Sequence, residues 1–294
     1  MKSNSAGSRA YRIFSLVVLI ILAILFLFPL YWIITGALKP PSAINSPIPQ
    51  WWPKEFTLRN FQVLFSKRSA PLFQFGSFTG PTVPGAIRWL INTVFMAVMA
   101  MLLTCLTASM AGYALAKKRF TGRIVLFSLI VAAMALPKQV ILIPLIREMS
   151  SLGLYDNIWA VILPTVGWPF GVFLMKQFSE GIPGEMIEAA RIDGAGEIMT
   201  FVTIVYPMIK PGVGALAIFT FINSWNDYFL QLIMLTSSSN LTISLGIATM
   251  QAENSTDFGL IMAGSALAAV PIIVVFLIFQ KYFTKGITMG AVKG

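Results

Sequence analysis

The chain has 294 residues, of which 57% are hydrophobic and 11% are charged, and its mean hydropathy is +0.80. Soluble domains carry about 25% charged residues, so this composition excludes a water-soluble globular protein and indicates an integral membrane protein. The formal net charge is +10, but the basic residues are scattered along the borders of apolar segments and form no basic and aromatic groove, which indicates contact with anionic lipid and argues against a nucleic-acid partner.

Six apolar segments approach or exceed the length of about 20 residues that a helix needs to cross a bilayer. Four carry no charged residue, and they are residues 13–38, 89–116, 157–175 and 258–280. Two more contain one charge each, residues 124–146 (Lys138) and residues 211–235 (Asp227). We therefore predict an all-α polytopic membrane protein with six transmembrane helices.

The first apolar segment, residues 13–38, also has to be tested as a cleavable signal peptide, because basic residues precede it. It is longer than the usual apolar region of about 7–15 residues and lacks a convincing small-residue cleavage site, so we predict that it stays as span one. Residues 1–12 are then a cytoplasmic N-terminus and residues 39–88 an extracytoplasmic loop. The basic cluster at residues 117–123 falls on the same side as both termini, as the positive-inside rule favours. Residues 281–294 are then a cytoplasmic tail.

Several catalytic arrangements are excluded by the residues present. The chain contains no histidine, which removes imidazole metal sites and His-based triads. It contains no G-x-x-x-x-G-K-[ST] loop, so no P-loop holds a nucleotide. Cys105 is the single cysteine and allows no internal disulfide. We predict that the chain is not an enzyme and carries no cofactor or metal of its own.

A short motif lies between spans four and five. Glu188, Ala189 and Ala190 are followed by Gly194, and Ile204 and Tyr206-Pro207 come further along. Glu185 and Glu188 favour the N-terminal end of a helix dipole, so the chain from Glu185 to Ile192 is predicted to form two helical turns. Small side chains leave one face of this helix thin, and the glycine permits the conformation that ends it.

The spacing of this motif resembles the EAA loop of permease subunits in binding-protein-dependent ABC importers. The resemblance implies a type I (MetI-like) permease fold with a core at residues 89–280, whose cytoplasmic loop at residues 180–207 docks onto a separate dimer of ATPase subunits. That dimer would hold ATP and Mg²⁺. The coupling residues implied are Glu185, Glu188, Ala189, Ala190, Arg191, Asp193, Gly194, Ile204 and Pro207. Tyr206 departs from the family, which has leucine there. The alternative is an ordinary amphipathic loop helix.

A polar cluster interrupts span five at Asn223, Asn226 and Asp227. Their spacing of i, i+3 and i+4 places them on one helix face, which must point at other helices or at a wet cavity. For a helix that begins near Pro211, Asn223 lies about 18 Å along the axis, just past the midplane of the bilayer. With Trp225, these residues are predicted to line a translocation pathway or to form hydrogen bonds at a subunit interface.

The string Ser224 to Asp227, the C-terminal residues 280–294 and the segment 38–61 resemble the maltose-type (MalG-like) carbohydrate permeases. This resemblance implies a sugar substrate, a second, MalF-like permease subunit, an extracytoplasmic solute-binding protein and location in the inner (cytoplasmic) membrane of a prokaryotic cell. The loop at residues 237–257 would meet the binding protein through Gln251, Glu253 and Asn254. An ordinary polar connection is the alternative for this loop.

Other functional classes stay open at this stage. A permease for amino acids or peptides would share the same loop motif. A secondary transporter should show internal repeats and intramembrane charges, and neither is clear in the sequence. A structural or assembly membrane protein would tolerate replacement of Glu188 and Gly194, whereas a coupling loop would not.

Overall fold

The computed structural model describes residues 6–75, 78–253 and 257–291, and only the backbone is described for residues 6–8, 10, 74–75, 78, 252–253 and 281–291. The α-helices are α1 (Ala6–Ala37), α2 (Pro41–Ile44), α3 (Arg59–Ser66), α4 (Gly85–Lys117), α5 (Arg123–Ala133), α6 (Leu142–Ser151), α7 (Trp159–Val166), α8 (Pro169–Glu180), α9 (Gly184–Ile192), α10 (Glu197–Thr200), α11 (Tyr206–Asn226), α12 (Tyr228–Met234), α13 (Ile243–Glu253) and α14 (Phe258–Ala291). A 3₁₀ turn (Lys138–Ile141) precedes α6, and a π-helical turn (Phe201–Val205) precedes α11.

The prediction of six spans is confirmed, with one of them bent. Five helical stretches of the described chain are long and apolar enough to cross a membrane, and a sixth results when the pair Arg123–Ala133 and Lys138–Ser151 counts as one span. The two parts of this pair are bent by 101°. The bend lies at Pro137, which has no backbone N–H and disfavours helix at the preceding residue.

Two predicted span boundaries differ from the structure. Span four is divided into α7 and α8 at Gly167 and Trp168, directly before Pro169. Span five begins earlier than Pro211, because helix runs from Glu197 through the π turn into α11. The predicted segment began at Pro211 because the apolar stretch begins directly after Lys210, but this proline lies inside α11.

The helices define two ends of the molecule. We call the end that contains Gly85 and residues 235–257 the upper end, and the end that contains Lys117 and residues 180–200 the lower end. At the upper end, Trp89 Nε1 donates to the carbonyl of Ser238 at 2.9 Å. At the lower end, Lys117 Nζ donates to the carbonyl of Glu180 at 3.0 Å. Helix α4 therefore runs the whole height of the bundle.

Helix α4 packs against α8 so closely that their backbones touch. A Cβ on Gly112 would lie 2.6 Å from the backbone nitrogen of Lys176 and 2.6 Å from the carbonyl carbon of Met175. The crossing lies within the lower of two apolar cores, which includes Ala108, Tyr113 and Met175, and an upper core includes Trp89 and Phe221. The absence of a side chain at one position thus brings two long helices into direct contact.

The predicted extracytoplasmic loops contain more regular structure than expected. Residues 69–84 form two short antiparallel ladders, β1 (Ser69–Pro71) with β4 (Thr82–Pro84) and β2 (Gln74–Phe75) with β3 (Phe78–Thr79). These strands are an exception to the all-α prediction, which is confirmed for the spans.

The segment predicted to meet the binding protein, with an ordinary polar connection as the alternative, contains α13. Its side chains of Ile243, Leu245 and Met250 are buried. Gly246 faces the ring of Trp89, where a Cβ would lie 2.0 Å from the nearest ring atom. The helix is therefore part of the upper core, because an aromatic ring from α4 fills the space that a larger side chain would need.

Replacement of Gly112 by alanine is expected to lower the stability of the purified protein. The added methyl group has to push apart the backbones of α4 and α8, and overpacking of this kind costs about 1–3 kcal/mol. Thermal unfolding in detergent measures the effect. The matched control is Gly184→Ala, because a Cβ there meets nothing within 4 Å. Equal melting temperatures for the two variants would contradict the close packing of α4 on α8.

Candidate functional site

The lower end carries the segment that the sequence singled out. Helix α9 covers the predicted helix Glu185 to Ile192 and ends at a tight turn, in which Gly194 has φ +80°. The N–H of Gly194 donates to the carbonyl of Arg191 at 3.2 Å, and the N–H of Ala195 donates to the carbonyl of Ala190 at 2.9 Å. The left-handed glycine thereby ends α9 and turns the chain toward α10.

One face of α9 is exposed, and the other packs against the bundle. Ile187 and Ala190 are buried, at 8% and 6% exposure. The other predicted coupling residues on α9 and its turn are exposed, namely Glu185, Glu188, Ala189, Arg191, Asp193 and Gly194. Of the two remaining predicted residues, Ile204 is half-buried in the π turn and Pro207 is exposed at the start of α11. The structure therefore places these two beyond the short helix.

Large apolar side chains, which the sequence analysis did not select, project from the same surface. Ile192 is 86% exposed and Ile198 is 80% exposed, and Met186 and Met199 are exposed nearby. A contiguous exposed apolar surface rimmed by charged residues is typical of a protein contact. Ile192 is the last residue of α9 and Ile198 is the second residue of α10, but neither position indicates exposure, which depends on how the segment folds back.

An ion-pair network surrounds this surface. Lys118 Nζ pairs with the carboxylate of Glu197, and Arg191 approaches the same carboxylate at 3.5 Å. Burial alone would lower the pKa of Lys118, but the hydrogen bonds and charge interactions with Glu197 and Tyr113 together outweigh this effect and the pKa is raised. The ammonium therefore stays charged throughout the physiological range.

The polar cluster of span five lies where that span breaks. Helix α11 ends at Asn226, and Asp227 Oδ1 accepts a hydrogen bond from the N–H of Leu230 at 3.4 Å, so that Asp227 caps α12. The side chains of Asn223 and Asn226 are exposed, and each donates one hydrogen bond to a carbonyl of its own helix. The depth predicted for Asn223 was counted from a helix start near Pro211, whereas the structure has helix from Glu197, so the count of about 18 Å does not hold.

Trp225 differs from its polar neighbours. Its side chain is 2% exposed and stacks on Phe221, with 5.5 Å between the ring centroids. It therefore belongs to the upper core of this chain and does not share the open face of Asn223 and Asn226.

An ion pair joins the breaks of two spans. Lys138, in the 3₁₀ turn at the bend of span three, lies 3.1 Å from the carboxylate of Asp227. The lysine side chain is 61% exposed and the aspartate side chain is 17% exposed. A lysine at the centre of a span costs about 2.5–3.5 kcal/mol in hydrocarbon, so this face has to meet water or another protein. The sequence showed both charges but not their contact.

At the upper end, Asp156 connects two loops. Its carboxylate accepts hydrogen bonds from the N–H groups of Thr236 at 2.7 Å and Ser237 at 2.9 Å. Burial would raise the pKa of Asp156, but these hydrogen bonds outweigh it and hold the pKa below the usual value. The loop before α7 is thereby fixed to the chain after α12.

The predicted binding-protein contacts lie on or beyond α13. Gln251 is exposed on this helix, and the backbone of Glu253 ends it. Asn254 lies outside the described residues. In the described part of the chain, no group of three or more Cys, Asp or Glu side chains is arranged to hold a metal ion.

Comparison with known proteins identifies a family and several relatives to which this chain is similar. Residues 105–289 match the family model described as binding-protein-dependent transport system inner membrane component. The chain is 32% identical, over 100% of both proteins, to the arabinooligosaccharides transport system permease protein AraQ of Bacillus subtilis (strain 168). It is also 31% identical to the melibiose/raffinose/stachyose import permease protein MelC of the same organism, covering 99% of this chain and 100% of that protein.

A solved structure shares the fold. The chain matches one chain of a bacterial ABC transporter involved in the import of the acidic polysaccharide alginate, with a TM-score of 0.74 and 22% identity. The match covers 96% of this chain and 100% of the other. The prediction of an ABC importer permease fold is thereby confirmed.

The pairing of Lys138 with Asp227 can be tested by a double-mutant cycle. Lys138→Met and Asp227→Asn each remove one charge, and the asparagine can still cap α12. We expect a coupling free energy of about 0.5–1 kcal/mol between the two sites, at the lower end of the range for contacting residues because the lysine is well exposed. Thermal or denaturant unfolding of the purified single and double variants measures it. Strictly additive effects would show that the two side chains do not interact.

Proposed function

The chain belongs to the family of binding-protein-dependent transport system inner membrane components, and from this we propose that it is a permease subunit of an ATP-driven importer of sugars or oligosaccharides. The observation that carries the proposal is the similarity, over the whole chain, to permeases named for arabinooligosaccharides and for melibiose, raffinose and stachyose.

The lower end is proposed to lie in the cytoplasm. Lys117, Lys118, Arg119 and Arg123 cluster there, as the positive-inside rule favours for short loops. Both termini then lie on the cytoplasmic side of the cell membrane, and the upper end with α13 faces outward. A solute-binding protein would dock at the upper end, where Gln251 is exposed.

The coupling surface is proposed to be α9 with its glycine turn and the exposed apolar side chains beside it. Ile192 and Ile198 offer apolar area to a groove of an ATPase subunit, while Glu188 and Arg191 supply charges at its rim. ATP and Mg²⁺ are held by that partner, so this chain transmits force and performs no chemical step. Movement of α9 would reach spans three to five through the helices joined to it.

The translocation pathway is proposed to run along the face that carries Asn223, Asn226 and the Lys138–Asp227 ion pair. This face is polar at membrane depth and exposed on the single subunit, so a second, MalF-like permease subunit would close the path on the opposite side. Amide groups can both donate and accept hydrogen bonds, which suits the hydroxyl groups of a sugar. The charges of Lys138 and Asp227 compensate each other, so the ion pair adds no net charge to this face.

The proposed function is tested by co-purification and transport. The tagged chain is expressed with its neighbouring gene products, and the purified complex is reconstituted in proteoliposomes. We expect an ATPase subunit and a second permease to co-purify, and we expect ATP-dependent uptake of an oligosaccharide with the binding protein present. Uptake of amino acids or peptides alone would overturn the sugar assignment, and uptake without any ATPase would overturn the importer assignment.

Gly194→Val is expected to abolish co-purification of the ATPase subunit. A β-branched residue in the left-handed conformation costs about 1–2 kcal/mol, so the turn after α9 would rearrange and displace the coupling surface. Gly194→Asn should keep the complex, because asparagine tolerates this conformation. Gly196→Val is the matched control, since its φ of −68° and ψ of 167° suit valine. Equal ATPase recovery with Gly194→Val and with the control would contradict the role of the turn.

A further inference from the structure

Two consecutive lysines at the lower end of α4 contact both sides of the coupling segment. Lys117 Nζ donates to the carbonyls of Glu180 at 3.0 Å and Ile182 at 2.5 Å, just before α9 begins. Lys118 Nζ pairs with the carboxylate of Glu197, the first residue of α10. We call Lys117 and Lys118 the lysine pair. The C-terminal end of α4 therefore contacts the chain both before and after α9.

The hydrogen bonds of Lys117 are made to main-chain carbonyl groups. The last carbonyls of α8 have no partner within the helix, and the C-terminal end of a helix attracts positive charge. An ammonium that bonds to Glu180 and Ile182 therefore holds the backbone itself at the point where the chain leaves α8. Displacement of this part of the segment would have to move α4 or break these hydrogen bonds.

The ammonium of Lys118 contacts an aromatic ring of its own helix, and the carboxylate that it pairs with also contacts a second cation. Its Nζ lies 5.2 Å from the centroid of the Tyr113 ring, and Tyr113 is only 5% exposed, so the ammonium rests on a fixed aromatic side chain of α4. The carboxylate of Glu197 also receives Arg191 from α9 at 3.5 Å. Glu197 thereby connects α4, α9 and α10 through one side chain.

The position of α8 adds a second constraint. Gly112 brings α4 into backbone contact with α8 about five residues before the lysine pair, so the two helices are packed together close to the contacts of Lys117. The end of α8, the helix α9 and the start of α10 are therefore attached to one rigid helix that continues to the upper end. No comparable polar link from α9 to α5 or α6 is seen in the described residues.

From these contacts we propose that Lys117, Lys118 and Glu197 are positioning residues that make the coupling segment move together with α4. This inference rests on the proposed function, because it concerns how a movement at α9 reaches the membrane spans. An ordinary surface ion pair between Lys118 and Glu197 would add a little stability and leave coupling unchanged, since the side chains are 26% and 61% exposed. A positioning contact would instead change the amount of sugar transported per ATP hydrolysed.

The test measures sugar transported per ATP hydrolysed by the complete importer in proteoliposomes, with its binding protein present. Glu197→Gln and Lys118→Gln are each expected to lower this ratio by about two- to fivefold, the range that corresponds to a surface ion pair, while the yield of the complex and its melting temperature stay unchanged. The charge exchange Lys118→Glu with Glu197→Lys is expected to restore the ratio. Arg119→Gln, an exposed neighbour without an ion pair among the described residues, serves as the control.

The contact of Lys117 is tested in the same assay. Lys117→Met removes the donor to the two carbonyls and is expected to lower the transport ratio, whereas Lys117→Arg keeps donors and should preserve it. A wild-type ratio in Glu197→Gln, or a charge exchange as defective as the single variants, would overturn the positioning role alone. A wild-type complex that imports no sugar would overturn the proposed function, and this inference with it.

Discussion

The backbone contact between α4 and α8 is the constraint on which the rest of the structure depends. With no side chain at Gly112, the two helices meet at the distance of their main chains, and the lower core, which includes Ala108, Tyr113 and Met175, forms around the crossing. Because interiors are close-packed, such a crossing transmits displacement instead of absorbing it. A movement applied at the lower end can therefore reach the upper end through α4.

Helix breaks show where the structure can bend. Span three bends by 101° after Ala133, and span five ends at Asn226 and restarts at Tyr228. The two breaks are joined by the Lys138–Asp227 ion pair, and Asp227 also accepts a hydrogen bond from the N–H of Leu230 at the second break. Broken helices at membrane depth are tolerated where protein or a wet cavity covers them. Helix α4, in contrast, is continuous from Gly85 to Lys117.

The two candidate sites were accessible to sequence reasoning to different degrees. The coupling helix was predicted closely, because its signals are local: acidic residues at one end and Gly194 at the other. The apolar contact surface was missed, since the exposure of Ile192 and Ile198 follows from how the turn folds back. Helix α13 was missed as well, because its burial depends on the ring of Trp89, which lies about 150 residues earlier.

The sequence by itself determined the membrane class, the number of spans and the position of helix α9 with its glycine turn, because hydropathy, charge and turn chemistry act over neighbouring residues. Only the tertiary structure decided which distant side chains meet. Lys138 and Asp227 are 89 residues apart in the sequence. The side chain of Trp225 is buried in the core, whereas those of Asn223 and Asn226 in the same motif are exposed. The physical reason is that such contacts depend on how whole helices cross, and this is set by packing between surfaces that no local pattern describes.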